Sequence, residues 1–280
     1  MRPCHLLRSE TKNESRPCMR VIAIVSPLGG SGRTTLTAHL ATLLALQGQP
    51  CLAVELCAQN LLGKHLGMQA PSALGWAALV AAGQWWADGS FDNSDGVGVL
   101  PFGKASLNTL EKIQRQLQAQ PHWLQEQLEQ LEVPADCTVL LDTPLWPSRL
   151  TQAALRCADA VLVTLEASAR ACAHRAVVKD MLRETAAAPA DHGVLVTRFD
   201  PRRISHREAL QTLRQQWGER LIPYTVHEDE NISRALASAM CVGQFAPQAQ
   251  SAHDLQGVCR WLSGQRTAPS SMLLATATTP

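Results

Sequence analysis

The stretch VIAIVSPLGGSGRTT, residues 21–35, decides how the rest of the chain is read. Val21 to Val25 is apolar without alternation, which suits a strand buried on both faces of a parallel sheet. Pro27-Leu28-Gly29-Gly30-Ser31-Gly32 follows as a loop with three glycines, and behind Arg33-Thr34-Thr35 runs the helix-forming LTAHLATLLALQG. Strand, glycine-rich loop and helix make a phosphate cradle, because glycines let main-chain N–H groups turn inward and a helix N-terminus adds positive field. Gly29, Gly30, Ser31, Gly32, Arg33, Thr34 and Thr35 are therefore candidate nucleotide-binding residues. The residues alone also leave open a glycine-rich turn that binds nothing.

The usual phosphate loop reads G-x-x-x-x-G-K-[ST], and this chain departs from it twice. Pro27 stands at the first glycine position and Arg33 at the lysine position. Arginine keeps the charge but is a planar fork, not a compact ammonium. Further on, the apolar run Cys137 to Leu141 ends in Asp142-Thr143-Pro144. A carboxylate at the end of a buried strand downstream of such a loop is the Walker B arrangement, so Thr34 and Asp142 are the candidate Mg²⁺ residues. No residue is assigned a catalytic role.

Apolar runs at 51–55, 97–100, 159–166 and 193–197 read as further strands. Helices are expected over 60–67, in a stretch capped by Ser72, over one or two segments of 107–131 with Pro121 opening the second, over 168–185 and over 251–262. Residues 84–98 read as loop, with Trp85-Trp86 as a hydrophobic lid. The leucines of 107–131 suit core packing or a partner helix. The alternation predicts one doubly wound, mostly parallel α/β domain with its site at the C-terminal ends of the strands.

The 280 residues can hold one large α/β domain or two small ones. A formal net charge of +1 argues against nucleic acid as the partner, although Arg198, Arg202, Arg203 and Arg207 lie close together. Nine cysteines without a C-x-x-C read as reduced thiols of a cytoplasmic protein and argue against a bridging iron–sulfur site. Cys57, just past the second strand, is either a packed thiol or a nucleophile whose base the sequence does not locate. No apolar run is long enough for a transmembrane segment, and the first residues lack the apolar core of a secretory signal. The expected division is a disordered extension at 1–18, a single domain at 19–264 and a flexible tail at 265–280.

Leu28-Gly29-Gly30-Ser31-Gly32-Arg33-Thr34 resembles the deviant Walker A loop K-G-G-x-G-K-[ST] of the ParA/MinD (SIMIBI-class) P-loop NTPases. In that family the first lysine reaches across a nucleotide-sandwich dimer, a contact Leu28 is unable to form. Where the family reads D-x-D-P-Q, this chain has Glu55 at the first acidic position and Cys57 at the second, whose carboxylate helps position the attacking water. The resemblance implies ATP or another nucleotide with Mg²⁺ as cofactors and a homodimer. It also places the strand end at Arg198 beside the base, where the guanidinium either stacks on the base or forms a surface salt bridge. Leu28, Arg33 and Cys57 together imply weak or absent hydrolysis.

Within that family GGSGRTT, VELCAQNLL, VLPFGKASL and VHEDENISRALASAMCVGQF resemble the branch found in bacterial cellulose-synthase operons, the BcsQ (YhjQ) proteins. The branch implies an accessory protein of cellulose secretion that helps assemble or localise the synthase complex. Its implied partners are synthase subunits and small operon proteins, and its implied place is the cytoplasm, recruited to the inner membrane through them. The alternatives are an active partition or positioning ATPase and a nucleotide-free interaction scaffold.

Overall fold

A computed structural model describes residues 2–3, 19–70, 72–134, 136–185 and 191–264. Apart from Arg2–Pro3, the expectations for 1–18 and those for 265–280 lie outside the described residues. The strands are β1 (Arg2–Pro3), β2 (Arg20–Val25), β3 (Cys51–Glu55), β4 (Phe91–Asp92), β5 (Val97–Leu100), β6 (Thr138–Asp142), β7 (Ala160–Glu166), β8 (Asp191–Phe199) and β9 (Leu221–His227). They form one sheet in the order β1-β4-β5-β3-β6-β2-β7-β8-β9. From β5 to β9 every neighbouring pair is parallel, while β4 runs antiparallel to β5 and to β1.

Apolar runs without alternation arise because both faces of the sheet are covered. Val21, Ala23 and Val25 pack into one core with the helices Leu107–Ala119, Trp123–Glu129, Arg149–Cys157 and Ile204–Trp217. Ile22 and Ile24 point the other way, into a core shared with the helices Arg33–Leu46 and Gln250–Gly264. This is the doubly wound α/β arrangement that the alternation predicts.

Three local expectations need correcting. Ser72 does not cap a helix: its hydroxyl bonds the Leu74 carbonyl, and the helix Trp76–Ala81 opens after Gly75. The single helix expected over 168–185 is two, Ala169–Ala173 and Arg175–Leu182, parted at His174, whose ring Nδ1 lies 2.8 Å from the Arg170 carbonyl. The loop expected at 84–98 contains the 3₁₀ turn Trp86–Gly89 and β4. Trp86 is no lid; it is fully buried against Trp76 and Trp123.

The connections that leave the C-terminal ends of β3 and β5 are stitched together by Asn60. Its amide donates to the Ser72 carbonyl at 2.8 Å and accepts the Gly103 N–H at 3.1 Å. Glu55, the last residue of β3, accepts the N–H groups of Leu61 and Leu62 at 2.6 and 2.9 Å on Oε1. The segment after β3 is thereby pinned beside the loop that follows β2.

Candidate nucleotide site

The loop between β2 and the helix Arg33–Leu46 turns on Gly30 and Gly32, with φ of 80° and 82°. Side chains disfavour that region, and a Cβ on Gly30 would also lie 3.6 Å from the Arg198 guanidinium. Ser31 anchors the loop to the sheet: its hydroxyl pairs with Thr164 at 2.8 Å and its carbonyl accepts from Thr197 at 2.9 Å. The helix begins at Arg33 without a side-chain cap, so its first N–H groups remain available. Leu28 turns inward and is 5% exposed, packed in the core with Val25 and Val54.

Beneath the loop, Thr34 Oγ1 donates to Asp142 Oδ2 at 2.8 Å, joining the helix to the end of β6. Asp142 is fully buried, and burial pushes its carboxyl up to about 7 against the opposing pull of the Thr34 hydroxyl and the Arg33 charge. Glu55 opposite it is pushed up to about 8, again chiefly by burial. Asp142 Oδ1, Glu55 Oε2 and Arg33 Nη1 are buried without a hydrogen-bond partner. Unsatisfied carboxylate oxygens next to a hydroxyl suit a hard divalent cation, so Thr34 and Asp142 fit Mg²⁺. Burial raises the Cys57 thiol above its usual range, so it is held protonated at neutral pH.

Beside Gly30 and Gly32 opens a cavity of about 250 Å³ between the ends of β8 and β9. Thr35, Leu36, Thr197, Val226, Ile232 and Leu255 line it, and Arg198 stands at its edge. Arg198 has φ 54° and reaches the Glu228 carboxylate at 3.2 Å and the Gly30 carbonyl at 3.5 Å. The salt bridge and the position beside the cavity therefore coexist. Arg202 and Arg203 are instead held by Asp200, which Arg202 keeps down at about 2.

Gly29 to Thr35, Arg198 and Asp142 thus converge on one end of the sheet. Val226 and Ile232 of the cavity wall lie in the stretch VHEDENISRALASAMCVGQF that carries the family resemblance, but nothing in the sequence assigns them, or Leu255, to a ligand. His39 and His65, stacked edge-on 5.9 Å apart behind Thr35, were also missed.

The family model described as "Cellulose biosynthesis protein BcsQ" matches residues 19–262. The chain belongs to the BcsQ family. BcsQ of Escherichia coli K12 is 27% identical over 254 residues, covering 87% of this chain and 94% of that protein. The chromosome-partitioning ATPase Soj of Thermus thermophilus is 28% identical over 242 residues, covering 85% and 93%. Among solved structures, the septum site-determining protein MinD of Pyrococcus horikoshii, complexed with Mg-ADP, superposes with TM-score 0.70 at 19% identity, covering 89% of this chain and 98% of that one. This BcsQ family member therefore has the ParA/MinD P-loop NTPase fold. Among its described residues no helix is long and apolar enough to cross a membrane.

Proposed function

We propose that this chain is a nucleotide-binding accessory protein of bacterial cellulose synthesis and secretion, which helps assemble or localise the synthase complex and hydrolyses ATP weakly or not at all. The observation that carries the nucleotide half is the Thr34–Asp142 bond beneath a loop of two positive-φ glycines, with a cavity alongside. Gly29 to Gly32 would cradle phosphates with main-chain N–H groups, and Arg33, Thr34 and Thr35 would complete the contact. The cavity edged by Arg198 would take the base. Mg²⁺, held by Thr34 and Asp142, would neutralise phosphate charge. The cellulose half rests on the family and on the BcsQ relatives.

Weak turnover follows from what the site lacks. Leu28 is committed to the core, so it reaches no partner phosphate, and the neutral Cys57 thiol stands where a carboxylate would orient water. Nucleotide then serves as a structural ligand that sets the shape of the surface shown to a second copy and to synthase subunits, holding the chain at the inner membrane from the cytoplasmic side.

Calorimetry with ATP and GTP in MgCl₂ tests the nucleotide half, on the wild type and on Gly32→Val. A Cβ at Gly32 meets no protein atom within 4 Å, so the valine acts through the strained φ of 82° and through side-chain bulk placed in the loop, not through a clash of its Cβ with the protein. Binding at about 1–100 μM by the wild type and none by the variant is expected, a difference far above the tenfold that 1.4 kcal/mol represents. Absence of binding in both would leave an interaction scaffold.

A further inference from the structure

The Arg198 side chain holds two walls of the cavity at once. Nη2 donates to Glu228 Oε1 at 3.2 Å, just past β9, and Nη1 donates to the Gly30 carbonyl at 3.5 Å in the glycine loop. Gly30, Arg198 and Glu228 all line the cavity. Depth places this bridge at the mouth: Leu36, Thr197 and Leu255 are buried, whereas the Arg198 and Glu228 side chains are 52% and 38% exposed. The main chain aims the bridge. Arg198 sits at φ 54°, a region that side chains disfavour, and just before it the Thr197 hydroxyl donates to the Ser31 carbonyl at 2.9 Å. Just after it the Phe199 carbonyl accepts the Glu228 N–H at 3.0 Å, so both ends of the ion pair are set on main chain that is itself fixed.

We infer that the Arg198–Glu228 pair is a clasp across the cavity mouth that sets the rate of nucleotide exchange and not the affinity. The inference rests on the nucleotide reading above. A guanidinium presents donors along two edges, which is what a bridge between a carbonyl and a carboxylate requires. Every partner in the clasp is a protein group, so it closes alike over a filled and an empty cavity. A contact that is equal in two states shifts no equilibrium between them. The clasp must open for a base to pass in either direction, so it raises the barrier to entry and to release together. A guanidinium stacked on the base would differ, strengthening binding and slowing release alone. The pair is half-exposed, and the loss of such a pair speeds a step by a few-fold, not by orders of magnitude.

Stopped-flow binding and displacement of ribose-labelled fluorescent ADP and ATP in MgCl₂ tests this on the wild type, Glu228→Gln, Arg198→Met and the double variant. Glu228→Gln keeps the side-chain length and removes the charge that holds Arg198. It is expected to raise kon and koff together by about three- to fivefold and to leave Kd within about twofold. In the Arg198→Met background, where the clasp is already gone, the same change is expected to leave both rates within about 1.5-fold. Thermal melts confirm that the variants are folded, and Glu228→Ala replaces Glu228→Gln if it is not. Rates that do not move, or a koff that rises alone and weakens Kd, overturn the inference and leave the nucleotide reading standing. So does a gain in kon that persists in the Arg198→Met background, which would be electrostatic steering. No binding by the wild type overturns both.

Discussion

The indole of Trp76 donates its Nε1–H to the main-chain oxygen of Glu55 at 2.7 Å, tying a fully buried aromatic to the last residue of β3. Trp76 also lies edge-on to Phe102 at 4.9 Å and packs on Trp123 at 5.9 Å. Trp76→Phe removes the donor and leaves a cavity, so it is expected to lower stability by about 2–4 kcal/mol. Urea unfolding reads the loss. A change below about 0.5 kcal/mol would mean the contact is made only in passing.

Glu55 gives the chain a pH dependence of definite sign. Its folded-state carboxyl is raised from 4.5 to about 8, first by burial and also by Asp142. The stability it contributes is full below the unfolded value and is lost as pH rises through the folded one. Glu55→Gln keeps an acceptor for Leu61 and Leu62 but does not titrate. In nucleotide-free protein the variant is expected to gain stability relative to the wild type between pH 5 and pH 8. Urea midpoints at those two pH values measure it, and a parallel shift of both proteins would contradict it.

His39 acts in the opposite direction. Its Nδ1–H donates to the Thr35 carbonyl at 2.6 Å, its Nε2 accepts the Val242 N–H at 2.9 Å, and burial lowers it to about 4. The neutral ring is therefore required. The stability it provides is full above the unfolded value near 6.5 and fades as pH falls toward 4. His39→Leu strands the Val242 N–H and is expected to cost about 1–3 kcal/mol at pH 7, with a smaller penalty at pH 4.5. Melting curves at both pH values decide.

Leu28→Lys restores the residue type that the family uses at this position but places it where the side chain is 5% exposed. Burying the ammonium or refolding the loop is expected to cost about 1–4 kcal/mol. No ATP-dependent dimer is expected in exchange, because the wild-type loop is built to turn this side chain inward. Sedimentation velocity with and without ATP checks the second point, and a dimer gained by the variant would refute it.

The elements near the loop were legible because their chemistry is local. Val21–Val25, the three glycines and Asp142 at a strand end each announce a conformation through a few neighbouring residues. The cavity and its surroundings were not, because they are made by contacts distant in sequence. Thr197 reaches Ser31 across 166 residues, and Thr42 meets Cys241 across 199. Ser72 misled because a serine before an apolar run suits a cap, whereas here its hydroxyl is taken by the Leu74 carbonyl. The burial of Leu28 was invisible for a related reason: a leucine in a glycine loop has no fixed direction until the surrounding core, built from residues distant in sequence, exists to receive it.

The order of the strands has a consequence for how the chain comes into being. β2 lies between β6 and β7, and both of those follow residue 137. During synthesis the apolar Val21–Val25 leaves the ribosome with no partner strand until roughly half the chain has followed it, an interval in which it is open to wrong pairing. The glycine loop, translated early, is thus among the last parts to acquire its shape. A polypeptide truncated ahead of Thr138 would carry every residue of that loop and no cradle.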